Sequence, residues 1–74
     1  MLTSPPNHMT IEADTNAALL ALATAKNKRE TNAALRRISV LFWLATRAKN
    51  AACRDILHEK LDNYNFDASP YIPA

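Results

Sequence analysis

Two clusters of side chains in this 74-residue sequence have the types and spacing that chemistry could use. Asp55, His58, Glu59 and Asp62 recur at helical intervals, and His58 and Asp62 are four residues apart. Ligands on successive turns of one helix can share a divalent ion or complete a site in a dimer. Arg54 and Lys60 lie in the same stretch, so surface ion pairing is the simpler reading. Cys53 stands beside Arg54, a cation of the kind that lowers a thiol's pKa. Its other neighbours, Ala51 and Ala52, suit a small packed thiol better than a nucleophile. His8 has no second ligand near it and reads as a solvated side chain. The sequence contains no Gly, hence no phosphate-binding loop, and it has neither a zinc-spaced Cys/His set nor a Ser/His/Asp grouping. No catalytic, cofactor-binding or metal residue is assigned, and a non-enzymatic protein is expected.

The charge pattern says more. Lys26 to Arg54 holds eight Lys/Arg against one acid, Glu30, a local net of +7. Elsewhere, six acids (Glu12, Asp14, Asp55, Glu59, Asp62, Asp67) face only Lys60, so the overall +2 conceals a strongly divided chain. On one continuous helix Arg36, Arg47 and Arg54 project within about 20° of a line, with Val40 and Trp43 on it. Arg29 joins them if the helix starts early. Trp and Arg dominate binding hot spots, and Arg stacks on indole faces. Arg36, Trp43, Arg47 and Arg54 are therefore the expected partner-binding residues. The competing reading is a solvated face with Trp43 tucked into the packing.

The elements that must carry this line are helical. Fourteen Ala and nine Leu favour helix, whereas Val and Ile total only five. An all-α protein is expected. Thr10 is a candidate N-cap for a first helix over 11–26, with Glu12 and Asp14 in its first turn. Ile11, Ala18, Leu22 and Ala25 share a face flanked by Leu19, and Leu20 points the other way. Such a helix, apolar on more than one side, is sandwiched or part of an oligomer. Lys26–Glu30 breaks the pattern: Asn27 can end one helix, and Thr31 or Asn32 can cap the next. The result is a helical hairpin.

From Thr31 onward, Ala34, Ile38, Leu41, Phe42, Ala45, Ala48, Ala52 and Ile56 gather on one face. Ile38, Leu41, Phe42, Ala45 and Ile56 are the expected core or self-association seam. Beyond Asn50 the stripe drifts toward Cys53, Leu57, Leu61 and Tyr64. Without Gly or Pro there, the expectation is a long second helix; a three-helix bundle turning at Asn50 is the alternative. A long helix would outreach the first one, and a second copy of the chain would cover the remainder. The repeated Asp14-Thr-Asn-Ala-Ala-Leu19 and Glu30-Thr-Asn-Ala-Ala-Leu35, with Asn50-Ala-Ala-Cys53 as a weaker echo, read as chance in an Ala/Asn-rich chain. A disordered tail is expected over 1–9, one helical domain over 10–64, and an extended tail over 65–74. That C-terminal tail, with Tyr64, Phe66, Tyr71 and Ile72, either folds back over the helices or offers a motif to a partner.

One cysteine excludes an internal disulfide and suits a reducing, cytoplasmic compartment. No signal peptide is legible, and the longest apolar run outside the Ala-rich segment, Val40–Ala45, is far too short to span a bilayer. An interfacial membrane helix fits poorly, because Trp43 shares its face with the arginines and acids follow. The expected function is that of a small binding protein, likewise a homodimer. It would dock on a protein with an acidic surface as an adaptor, inhibitor or regulator. Nucleic-acid binding through the basic stretch 26–54 is the alternative, weakened by a net charge of only +2.

Overall fold

The structure, a computed structural model, describes residues 8–73. It is all-α. Helix α1 spans His8–Ala23, α2 spans Lys28–Arg47, α3 spans Ala51–Asn63, and a 3-10 turn covers Ser69–Tyr71. Most of the expected N-terminal tail lies outside the described residues. His8 and Met9 already belong to α1, so the helix starts before the expected Thr10 cap.

Helices α1 and α2 pack as the expected hairpin, and α2 is the central element: α3 lies along it too, while α1 and α3 meet only slightly. Ile11, Ala18 and Leu22 come in from α1, and Ala34, Leu35, Ile38, Leu41 and Ala45 from α2. Cys53, Leu57 and Leu61, spaced four apart, come in from α3. Ser39 is fully buried on α2; its hydroxyl donates to the Leu35 carbonyl at 2.9 Å, which removes the cost of burying it.

Asn27 does not end α1. It takes an extended conformation and caps α2, its side-chain oxygen accepting the Glu30 N–H at 2.9 Å. Glu30 reaches back to accept the Lys26 N–H at 2.9 Å. The two contacts form a variant of the reciprocal box that opens many helices.

The long second helix is not what forms; the three-helix alternative is. The chain turns at Lys49-Asn50 without Gly or Pro. Lys49 adopts a left-handed φ of 59°. Its N–H donates to Thr46 O at 3.1 Å, and the Asn50 N–H to Ala45 O at 2.9 Å. This pair of bonds is a Schellman ending, usually built on Gly. Asn50 then caps α3, accepting the Cys53 N–H at 3.2 Å. One residue thus closes α2 and opens α3, and the turn lets α3 fold against α2 so that Cys53, Leu57 and Leu61 are buried.

The same device ends α3. Asn65 has φ 51°, its N–H bonds Asp62 O at 3.0 Å, and the Phe66 N–H bonds Leu61 O at 2.9 Å. This ending turns the chain back, and Phe66 and Ala68 pack against the core. Two buried polar atoms have no hydrogen-bond partner among the described residues, Thr15 Oγ1 and Asn50 Nδ2.

Candidate partner-binding surface

The break at Lys49-Asn50 divides the expected arginine line. Arg36, Trp43 and Arg47 stay together on α2, with Arg29 near its start, because all four belong to one unbroken helix. Arg54 does not join them. It lies in α3 and pairs with its neighbour Asp55 at 3.1 Å.

Trp43 is half-buried. Its ring meets Phe42 edge-on at 4.9 Å, and its indole N–H donates to the Ala68 carbonyl at 3.0 Å. The Arg47 guanidinium is hydrogen-bonded to the Pro73 carbonyl. Residues 65–73 therefore run back along the C-terminal half of α2, and of the two roles open to this segment, folding back is the one found. Phe66 and Tyr71 stack at 5.8 Å and stiffen it.

The N-terminal half of α2 is bare by comparison. Lys26, Lys28, Arg29, Arg36 and Arg37 are all exposed. Arg54–Asp55 is the one ion pair among the described residues, so none of these five cations has an ion-pair partner there. Glu30, the only acid among them, has Oε1 engaged by the Lys26 N–H. Five unpaired cations around the first helical turns form a field that attracts anionic groups. Arg37, which sequence reasoning left aside, is part of this surface. It lies on the α1 side of α2, lining a shallow groove with Ala21, Thr24 and Ala33.

Of the seam residues, Ile38, Leu41 and Ala45 are core, and Phe42 packs beside them. Ile56 is 43% exposed, because α3 buries the face of Cys53 and Leu57 instead. Cys53 is buried, as a packed thiol should be. His58 sits with its ring 5.7 Å from Phe42, at the edge of an open cleft shared with Asp62 and Asp67. Among the described residues no three His, Cys, Asp or Glu side chains are grouped to hold a metal ion. Asp67 is fully exposed, and its pKa is held below the ordinary aspartate value, first by the Ser69 N–H it accepts at 3.0 Å and then by the Ser69 hydroxyl.

Among the described residues no helix is long and apolar enough to cross a membrane. No protein-family model matches the sequence, and the searches of curated proteins and of solved structures likewise return no match.

Proposed function

We propose that this chain is a non-enzymatic binding protein, acting as a homodimer, that docks on an acidic protein surface and modulates that partner. One observation carries the reading: Lys26, Lys28, Arg29, Arg36 and Arg37 stand exposed around the N-terminal half of α2 without an ion pair among the described residues. Exposed arginines of this kind serve steering and specificity at interfaces. Arg36 belongs to the expected binding set. Trp43 and Arg47 border the surface from beneath the C-terminal segment, and Arg54 is remote from it along the chain.

The test is affinity capture from the source cell, with the wild-type chain and Arg36→Glu/Arg37→Glu side by side. Equal helical circular dichroism makes the comparison fair. The expected result is a protein retained by the wild type, with or without nuclease, and lost by the double variant. Retention that disappears on nuclease treatment, with a mobility shift of duplex DNA or RNA that collapses as salt rises, would transfer the site to nucleic acid.

A further inference from the structure

Helix α1 is apolar on both sides. Its inner face supplies Ile11, Ala18 and Leu22 to the core. Its outer face presents Ala13, Ala17 and Leu20 to solvent, with Asn16 and Thr24 beside them, and Leu20 is 64% exposed, the most exposed of the large apolar side chains among the described residues. Small residues around one protruding leucine let a second helix approach closely. On one flank the face runs into a crevice between α1 and α3 lined by Glu12, Asn16, Ala52 and Ile56, and Ile56 is itself 43% exposed.

Charge selects the occupant. Thr15 to Ala25 contains no charged residue. Acids precede it, Glu12 and Asp14, and cations follow it, Lys26, Lys28 and Arg29. An apolar centre with acids near the N-terminal end of α1, and cations just beyond its C-terminal end in the linker and the start of α2, complements a copy of itself turned end for end. A two-fold axis between Ala17 and Leu20 sets Leu20 against the second copy's Ala17. The same axis sets Glu12 opposite position 25 of the second copy, beside Lys26 in the linker, so that the dimer takes Lys26 out of the docking set and leaves Lys28, Arg29, Arg36 and Arg37. The helix dipoles then oppose each other, which is favourable, and a two-fold contact closes without leaving a sticky end.

We infer that the outer face of α1, extended by Ile56, is the seam of an antiparallel homodimer. This rests on the homodimer part of the reading above and specifies its surface. Sedimentation velocity on the full chain tests it. The wild type should sediment at twice the 8.2 kDa chain mass. Leu20→Glu, at an exposed site that leaves the fold intact, should weaken association by on the order of a hundredfold, because each dimer loses two buried leucines. Glu12→Lys and Lys26→Glu should each weaken it, and the two together should restore it. A monomeric wild type at high micromolar concentration would overturn the inference. So would an unchanged dimer in Leu20→Glu, or a double charge swap no better than either single one. Arg36→Glu/Arg37→Glu replaces none of the seam residues Ala13, Ala17, Leu20 and Ile56, so, run alongside, it should stay dimeric, and loss of partner capture and loss of dimer are separately readable.

Discussion

The indole N–H of Trp43 donates to the carbonyl oxygen of Ala68 at 3.0 Å, tying the C-terminal half of α2 to a segment 25 residues further on. This bond explains why the only Trp in the chain stands on a basic line and is nevertheless half-buried: the C-terminal segment, held also by Arg47 on Pro73, lies over it.

Trp43→Phe keeps the ring packed on Phe42 and removes only the N–H. The loss of a neutral hydrogen bond should weaken docking of the segment by about 0.5–1.5 kcal/mol. Amide exchange should speed up at Tyr71, whose N–H bonds Ala68 O, while the helical signal holds. Unchanged exchange there would show that Phe66 and Ala68 packing alone retains the tail.

Lys49 offers a test by sign. In its left-handed conformation a non-Gly residue is strained, so Lys49→Gly should stabilise the protein by up to about 1 kcal/mol. In an unbroken helix the same change would cost about 1 kcal/mol. Thermal or urea unfolding distinguishes the two outcomes, and a destabilised variant would contradict the turn.

These two residues also mark how far the sequence could be read. The hairpin of α1 and α2 was legible because Lys26–Glu30 interrupts an apolar pattern with consecutive polar side chains. The turn at Lys49-Asn50 was harder, because its left-handed position carries Lys where Gly would have announced it. The signals present were the drift of the apolar stripe toward Cys53, Leu57 and Leu61, and Asn50 as an N-cap. The Asn-Ala-Ala echo misdirects on this point, since Asn16 and Asn32 lie inside helices and only Asn50 begins one. Ile56 followed from assuming continuity: on a separate α3 that angle faces solvent. The bonds from Trp43 and Arg47 to backbone carbonyls join positions about 25 apart, and no local pattern encodes them.

Acid should loosen the C-terminal segment. Asp67 has its pKa depressed by accepting from Ser69, so its stabilising effect is full above the unfolded aspartate value of about 4 and fades as pH falls through the lower folded value. Trp43 fluorescence should report this loosening below about pH 4, and Asp67→Asn should shrink the pH-dependent part. An identical acid profile in the variant would assign the effect to other carboxylates.

Thr15 is 2% exposed, and its hydroxyl has no hydrogen-bond partner among the described residues. An unsatisfied buried hydroxyl is a standing cost, so Thr15→Val should stabilise the fold by about 1 kcal/mol. In a domain of this size that raises Tm by roughly 4–8 °C. A lower Tm would mean that the hydroxyl is satisfied in solution.

The cations on the N-terminal half of α2, without an ion pair among the described residues, are the proposed docking surface. The most direct measurement is calorimetric titration of the captured partner protein with the wild-type chain and with Arg36→Glu/Arg37→Glu, at low and at moderate salt. Binding at least about tenfold weaker in the double variant is expected, with a wild-type affinity that falls as salt rises. Equal affinity in the two proteins, insensitive to salt, would contradict it.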